Sequence, residues 1–523
     1  MVGGRYDRQI RIWGEHGQKK LEESKVCLLN CGPTGCETVK NLVLGGIASF
    51  TLVDKDTVKP RDLGNNFMLS TTDVGESRAK AVAAHLKELN AAVVGSFIDE
   101  DPEDIVTDNP DFFHDFTIVI ATQMPMRTLM ALDSVCRKQN IIMIVMRSFG
   151  FIGTLRLCIR EHVITDTNPG DNIHDLGLTQ PWPELCNFVS QFELDTLDGV
   201  AFKGVPFIVL LLQACDKWRA EHDSKLPSNT REQAAFKHML SAMRRTHDEE
   251  NFQEALNAVR HVCKPKSLSP TLVKVLEELA SKNLCQSTPI FWFKISGISA
   301  FLAKSGGMMP LVGSIPDMTC TTDCYVTLQR IYQEKAASDA KVVEHYVQEA
   351  LVRAGRQRDE ITADEVRTFC RYASNAAFLR WRPLALDSSL VREDKIKSTS
   401  QGAWDYPLST LTYLVLVCAS DAFFDRYGRL PGTAIDAVRG SKDDFIKLKT
   451  IADEILGDHN LNGHLLDNLI CETVRGGGGE LHAVASVLGA IGSQEIIKLV
   501  TKQFVPCEKT LIYNCVECTT MTC

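Results

Sequence analysis

The residue types and spacing that first indicate chemistry lie in a short segment near the amino terminus. Residues 30–35 read Asn-Cys-Gly-Pro-Thr-Gly and directly follow a run of apolar residues. Gly32 and Gly35 match the second and third glycines of the pattern G-x-G-x-x-G, in which the backbone approaches a pyrophosphate, whereas Asn30 replaces the first. Asp54 follows about 20 residues later, where an acidic side chain contacts a ribose in such folds. This spacing is typical of a dinucleotide-binding loop.

Pro33 argues against a bound nucleotide. Loops of this kind hold phosphate with backbone N–H groups, and proline has none. Asn30 also reaches left-handed backbone angles less freely than glycine. We therefore expect the turn to be kept without a working phosphate site, so that no cofactor is bound at Asn30, Gly32, Pro33, Gly35 or Asp54. Asp54 would then cap the end of the second strand, and a ribose contact is the alternative.

The elements that would position this loop alternate between strand and helix. Continuous apolar runs at 26–30, 50–53, 116–121 and 141–145 predict strands. The segments between them, 36–44, 77–89 and 129–138, predict helices, and in 77–89 the apolar residues recur on one helical face. Apolar strands that alternate with helices indicate an α/β fold, with a mostly parallel, Rossmann-like sheet that has helices on both faces.

From about residue 168 the strand pattern fades and amphipathic helices are predicted, for example at 272–282, 325–348 and 411–427. The glycines at 476–479 cannot hold a helix and predict a loop. A long helix rich in small residues follows at 481–500, either for core packing or for a subunit interface, and a final strand at 511–513. We therefore divide the chain into a Rossmann-like α/β domain of residues 1–165 and 480–523, and a mainly α-helical insertion of residues 166–479.

Composition excludes several classes of protein. The 523 residues are 44% hydrophobic and 24% charged, with a formal net charge of -9. No dense lysine and arginine block is present, so nucleic acid is not an expected partner. The longest apolar runs fall short of the roughly 18 residues of a membrane helix, and the charged amino terminus is unlike a secretory signal. We expect an intracellular protein without a membrane partner, whose 18 cysteines are reduced.

Motifs of one family run through the sequence. They are YDRQIRIWG at 6–14, GNNF at 64–67, GESRAK at 75–80, PWPEL at 181–185, IPDM at 315–318, YGRLPG at 427–432 and QEIIK at 494–498. Over essentially its whole length the sequence resembles the E1 enzymes that activate ubiquitin-like proteins. Within them it is similar to the regulatory subunits of the NEDD8-activating E1 (RUB-activating in plants), and its motif sequences most resemble those of the plant form. The resemblance implies an inactive adenylation domain of the ThiF/E1 type.

The departures from active E1 sequences concern the ATP site. Active adenylation domains carry an Arg-Gln pair before the phenylalanine that matches Phe67, where this sequence has Asn65 and Asn66. They also carry a metal-binding aspartate after the fourth strand, whereas residues 121–124 contain no carboxylate to hold Mg²⁺. The resemblance therefore implies that this chain holds no cofactor and no metal, and that ATP and Mg²⁺ are bound by a partner subunit.

Arg8 is the residue to which the resemblance gives a role. In related E1 enzymes the arginine of this motif reaches across the subunit interface to the partner's ATP, where its fixed charge neutralises phosphate oxygens. The alternative is a surface arginine paired with Asp7 or another acid. The resemblance further implies no catalytic residue on this chain, a heterodimer with the catalytic E1 subunit, and action on NEDD8/RUB and then an E2 conjugating enzyme. It also implies a location in nucleus and cytoplasm and a link to auxin signalling.

Other interpretations remain open. The chain could be a non-catalytic scaffold or a divergent paralogue, since Ala422 stands where the family usually has arginine. An NAD-dependent oxidoreductase is a further alternative, which requires the loop that Pro33 argues against. Cys320 superficially matches an E1 thioester cysteine, but the resemblance places that cysteine on the other chain. Cys515 and Cys518 form a lone C-x-x-C, and a zinc site usually needs two such pairs, so we expect reduced thiols in a mobile tail.

Overall fold

The computed structural model describes residues 4–167, 175–263, 268–385, 410–433, 437–456 and 463–522. The chain forms two compact units, one of Met1–Ile164 with Leu379–Cys523 and one of Thr165–Phe378. The first break lies beside the boundary predicted after residue 165. The second does not: the described residues within 379–479, a range predicted as part of the insertion, belong with the first unit.

An eight-stranded sheet is the centre of the first unit, with strand order β10-β9-β6-β5-β4-β1-β2-β3. The strands of the described residues are β1 Lys25–Leu29, β2 Ser49–Val53, β3 Val94–Ile98, β4 Ile118–Thr122, β5 Ile142–Phe149, β6 Ile152–Cys158, β7 His162–Ile164, β8 Ala377–Leu379, β9 Leu511–Asn514 and β10 Thr519–Thr522. β1 to β5 are parallel, and β6, β9 and β10 extend the sheet in antiparallel fashion. The predicted mostly parallel sheet is confirmed, although β3, β6 and β10 were not predicted.

Strand β1 lies at the point where the strand order reverses. It pairs in parallel with β2 on one side and with β4 on the other. In open α/β sheets, ligands bind outside the carboxyl ends of the strands at this crevice. The loop after Leu29 therefore occupies the position from which the fold would bind a nucleotide.

Helices cover both faces of this sheet. The first-unit helices are α1 Asp7–Glu22, α2 Pro33–Gly45, α3 Arg78–Leu89, α4 Pro102–Asp108 and α5 Met126–Gln139, followed after the second unit by α16 Thr410–Tyr427, α17 Ala437–Leu456, α18 Gly463–Gly476 and α19 His482–Thr501. Alternate residues of β1 enter different cores: Leu28 packs with the cluster that contains α2 and α19, and Leu29 with the one that contains α5. This alternation is what a sheet buried on both faces requires.

Helices α16, α17 and α18 belong to the first unit because their apolar faces pack on the sheet. Phe149, Ile152 and Ile512 of β5, β6 and β9 share one core cluster with α16, α17 and α18. A sequence pattern gives the apolar face of a helix but not which of two cores that face meets. The predicted domain boundary at 479 and 480 failed for this reason.

Helix α19 is a core helix of the first unit. By length and composition alone it could cross a membrane. Its glycines, however, lie against the rest of the unit: a Cβ on Gly489 would be 2.5 Å from Glu37 Cβ in α2, and one on Gly492 would be 2.9 Å from Met146 in β5. The small residues therefore serve close packing against α2 and the sheet, one of the two roles predicted for them.

The second unit is mainly helical, as the predicted insertion requires. Its helices are α6 Pro183–Val189, α7 Gly199–Lys203, α8 Phe207–Glu221, α9 Thr230–Ala242, α10 Glu250–Ala258, α11 Arg260–Cys263, α12 Pro270–Ser281, α13 Ile290–Lys304, α14 Thr322–Arg353 and α15 Ala363–Tyr372. One core of this unit is built around Trp182 and Tyr332, whose rings meet edge to face at 5.0 Å. The Tyr332 hydroxyl donates to the carbonyl of Leu176 at 2.8 Å, which satisfies its buried polar atom.

Candidate functional site

The loop between β1 and α2 keeps the turn of a nucleotide-binding loop. Asn30 has a φ of 68°, in the left-handed region, and its Nδ2 donates to the carbonyl of Thr122 at 2.8 Å. This bond fixes a turn that glycine adopts more freely. Gly35 lies against β1, because a Cβ there would be 2.6 Å from Leu28 Cδ1. The third glycine position is thus retained for close packing of helix on strand.

A carboxylate from the far end of the chain lies at the amino terminus of α2. The Oε2 atom of Glu480 accepts from the backbone N–H of Thr34 at 3.2 Å and from the Thr34 hydroxyl at 2.6 Å. A Cβ on Gly32 would come within 2.4 Å of Glu480 Oε1. Helix amino termini favour anions, and phosphate takes this position in nucleotide-binding loops. Here a side chain of the protein takes it.

Glu480 is enclosed, with 9% of its surface exposed. Burial raises the pKa of its carboxyl group, and the hydrogen bonds from Thr34 and Gln123 and the charge of Arg78 offset that effect only in part. Gln123 stands in the stretch where the resemblance puts a metal-binding aspartate. Its φ is 51°, and its Nε2 donates to the carbonyl of Ser148 at 2.5 Å. This part of the loop's surroundings is therefore lined by an amide rather than a second carboxylate.

Asp54 turns towards the loop and α3. Its Oδ2 accepts from the N–H of Cys31 at 2.6 Å and from Arg78 Nε at 2.8 Å, and its Oδ1 accepts from Arg78 Nη2 at 3.0 Å. Arg78 also pairs with Asp56 at 3.1 Å. Burial opposes the charge on Arg78, but the two aspartates outweigh it and raise the pKa of the guanidinium. Of the two predicted roles for Asp54, the structure shows a contact within the chain at the end of β2.

The two asparagines that replace an Arg-Gln pair tie the loop to its neighbours. Asn65 Nδ2 donates to the backbone carbonyl of Glu480 at 2.8 Å. Asn66, which is 3% exposed, donates from Nδ2 to the carbonyl of Cys31 at 3.1 Å. Both amides therefore bond to this chain's own backbone, and Phe67 directly after them is 80% exposed.

The residues around the loop do not fit a nucleotide phosphate. The N–H of Cys31 is bonded to Asp54, that of Thr34 is bonded to Glu480, and Pro33 has none. Two carboxylates next to the loop would also repel an anion. That Asn30, Gly32, Pro33, Gly35 and Asp54 bind no cofactor stays a prediction, and the structure adds Glu480 to the reasons for it.

Arg8 lies on the first turn of α1, which is anchored on either side. Before it, Arg5 Nη2 donates to the carbonyl of Leu89 at 2.7 Å, and the Tyr6 hydroxyl accepts from Asn90 Nδ2 at 2.9 Å. After it, Trp13 is buried and its carbonyl accepts from Gln503.

The Arg8 side chain itself is exposed. Asp7, the acid named as its alternative partner, pairs instead with Arg11 at 2.9 Å. Within the described residues no ion pair involves Arg8. The structure thus places a permanently charged guanidinium in solvent on an ordered helix.

The cysteines flagged in the sequence show no sign of a nucleophile or metal site. Burial raises the pKa of the Cys320 thiol to about 11, which disfavours the thiolate. Cys515 and Cys518 lie at the turn between β9 and β10 and belong to no mobile tail, which corrects that expectation. In the part of the chain that the structure describes, no group of three or more potential ligands could hold a metal ion.

Comparison with known proteins identifies the family. The ThiF family model matches residues 6–522. The NEDD8-activating enzyme E1 regulatory subunit AXR1 of Arabidopsis thaliana is 40% identical over 98% of this chain and 94% of that protein. The NEDD8-activating enzyme E1 regulatory subunit of Danio rerio is 35% identical over 99% of this chain and 98% of that protein. The chain belongs to the NEDD8-activating enzyme E1 regulatory subunits of the ThiF family.

A solved structure, that of E. coli MccB, is 21% identical and covers 30% of this chain and 45% of that one, with a TM-score of 0.27. This likeness is too slight to carry an argument. The curated relatives, in contrast, cover nearly the whole chain, so the regulatory-subunit family accounts for both units. The resemblance stated from the motifs is confirmed.

Glu480, the side chain that fills the loop, was not predicted from the sequence. Thr34 and Glu480 are separated by 446 positions, and no periodicity connects residues so far apart. A local signal was present, since Glu480 directly follows the four glycines at 476–479. Consecutive glycines before an acidic residue indicate that the backbone closely approaches another segment. They do not indicate which group the acidic side chain will contact.

Proposed function

We propose that this chain is the regulatory half of a two-chain E1 that activates NEDD8 or its plant counterpart RUB. The catalytic subunit would bind ATP, Mg²⁺ and NEDD8, and would adenylate the NEDD8 carboxyl terminus with release of pyrophosphate. The partner's cysteine then displaces AMP to form a thioester, and an E2 takes the acyl group by thiol exchange. The present chain supplies no nucleophile and no metal ligand. It supplies Arg8 to the partner's ATP site.

The observation that carries this proposal is the exposed Arg8 on an anchored helix. A guanidinium cannot lose its charge near neutral pH and can contact two phosphate oxygens at once. Such a group acts on a partner when its own chain does not pair with it and when its backbone is held in place. Tyr6 and Trp13 provide that hold. The loop filled by Glu480 supports the same division of labour, because it leaves the chemistry to the partner.

We further propose that the mainly helical second unit forms half of the domain around the partner's catalytic cysteine. The nucleus and cytoplasm as location and auxin signalling as the wider pathway are proposed on the resemblance alone. Expression of a fluorescent fusion in plant cells checks the location.

The first experiment is ATP-dependent thioester formation on the catalytic subunit, with and without this chain. We expect the thioester only when both chains are present. With Arg8→Ala we expect the rate to fall by at least about 100-fold, since arginines that neutralise a transferring phosphate are worth on the order of 10³–10⁵ in rate. Copurification of the two chains should be unchanged.

The matched control is Arg11→Ala, which removes a guanidinium from the same helix that pairs with Asp7. We expect this variant to charge NEDD8 at close to the normal rate. If Arg8→Ala also charges normally, the chain is a scaffold, which is the main alternative. A complex that assembles normally but charges NEDD8 weakly even with the unaltered chain indicates the divergent paralogue. If the isolated chain binds NAD, the oxidoreductase interpretation holds.

A further inference from the structure

The loop after β1 holds a carboxyl group of its own chain at the position of a phosphate. Asp54 accepts a hydrogen bond from the N–H of Cys31, and Glu480 accepts hydrogen bonds from the N–H and the hydroxyl of Thr34. We propose that Glu480 is the built-in ligand of this loop: it replaces the nucleotide phosphate and holds the loop, the Asn65–Asn66 segment and the glycine run in one closed arrangement. This inference goes beyond the proposed function and does not depend on it.

Close backbone contacts that only glycine permits position Glu480 next to the loop. A Cβ on Gly476 would lie 2.8 Å from the Cα of Gly150, and the Gly150 N–H donates to the carbonyl of Gly479 at 2.9 Å. A Cβ on Gly432 would lie 1.9 Å from the carbonyl oxygen of Val474 and 3.1 Å from the Cα of Gly477. The glycine run thus fits between two backbones, and its last residue leads directly into Glu480.

Glu480 joins three segments that are distant in sequence. Its side chain bonds to Thr34, while its backbone carbonyl accepts from Asn65 at 2.8 Å. Asn66 returns to the loop through the carbonyl of Cys31. In a nucleotide-binding relative of the fold, the ligand itself would order such a loop. Here the same ordering comes from within the chain and is permanent.

The test is removal of the carboxylate in the full-length chain by Glu480→Ala. We expect hydrogen exchange at 31–35 and 65–67 to become about tenfold faster or more, as expected for loss of a local constraint. We also expect potassium acetate, which can refill the vacated carboxylate position, to raise the melting temperature of this variant. Potassium chloride at the same ionic strength should not raise it. For the unaltered chain, the melting temperature should be the same in the two salts.

Glu495→Ala is the matched control. Glu495 is another buried glutamate of the first unit, 6% exposed, and it accepts a backbone N–H, that of Cys507, at 2.7 Å. Its loss should destabilise the chain without faster exchange at 31–35 and 65–67. The proposal is overturned if exchange at these segments is the same in both variants, or if acetate and chloride act alike on Glu480→Ala.

Should Glu480→Ala not fold, Thr34→Val keeps the shape of the side chain and removes only the hydroxyl donor. We then expect faster exchange at 65–67, which lies outside α2 and whose Asn65 bonds to the backbone carbonyl of Glu480. Unchanged exchange there in Thr34→Val would contradict the proposal equally.

Discussion

The filled loop after β1 and the amino-terminal motif on α1 belong to the same unit and use charge in opposite ways. Around the loop, Asp54 and Glu480 are buried, and each accepts hydrogen bonds from within the chain. On α1, Arg8 is exposed and has no ion pair within the described residues. The protein scaffold is ordered in both places. What differs is whether the charged group is bonded within its own chain or left accessible to another.

That difference separates a structural role from a role towards a partner. A buried charge that loses its bonds costs several kcal/mol, so the loop network acts on folding. An exposed charge contributes little to folding, so an exposed charge on an anchored helix acts mainly on what binds there. Variants of the loop should therefore change stability without changing the rate of thioester formation by the folded complex. Arg8 variants should change that rate without changing stability.

The largest effect on stability is expected from Arg78→Met. This change keeps the approximate length of the side chain but removes the guanidinium that donates two hydrogen bonds to Asp54, which is 1% exposed. We expect the free energy of unfolding to fall by about 3–5 kcal/mol, as for other buried pairs that lose one member. Urea unfolding measures it.

The double variant Asp54→Asn with Arg78→Met should recover part of that loss, because no buried charge then remains unpaired. At a temperature where Arg78→Met is still folded, its complex should form the thioester at close to the normal rate. A fall in rate as large as that for Arg8→Ala would remove the contrast between the two regions.

The sequence predicted the sheet because each of its parallel strands but β3 is a local apolar run, such as 26–30 and 116–121. The missing backbone N–H at Pro33 was also predictable, since it is a property of one residue. The ligand that replaced the phosphate was not predictable, because Thr34 and Glu480 meet only after the whole second unit has intervened. Likewise, the apolar faces of α16, α17 and α18 did not reveal which core they would join.

His162 is also buried, but unlike Asp54 it has a ring nitrogen without a hydrogen-bond partner among the described residues. Its Nε2 atom has no hydrogen-bond partner within the described residues, and its ring lies 6.5 Å from that of Trp381. Burial, with a smaller contribution from the charge of Lys502, lowers the pKa of His162 to about 3. Unfolded chains take up this proton near pH 6.5. Stability is therefore full above about pH 6.5 and is lost as the pH falls towards 3.

Replacement of His162 by Phe removes this proton uptake. We expect the loss of unfolding free energy between pH 7 and pH 5 to be smaller than in the unaltered chain by about 2 kcal/mol, which is about 1.4 kcal/mol for each pH unit below 6.5. Urea unfolding at the two pH values gives the difference. The exposed His114, changed in the same way, serves as the control. An equal pH dependence with and without His162 would show that the ring finds a partner for its charge.

The smallest effect is expected from Tyr6→Phe, which tests the anchor beneath Arg8. The change removes only the hydroxyl that accepts from Asn90 Nδ2, while Arg5 still bonds to the carbonyl of Leu89. One hydrogen bond of this kind is worth about 1 kcal/mol. We expect a stability loss of that size in urea unfolding and a rate of thioester formation well above that of Arg8→Ala. If Tyr6→Phe instead lowers the rate as far as Arg8→Ala at unchanged stability, the hydroxyl itself acts on the partner, and the anchored and the accessible parts of the motif are not separate.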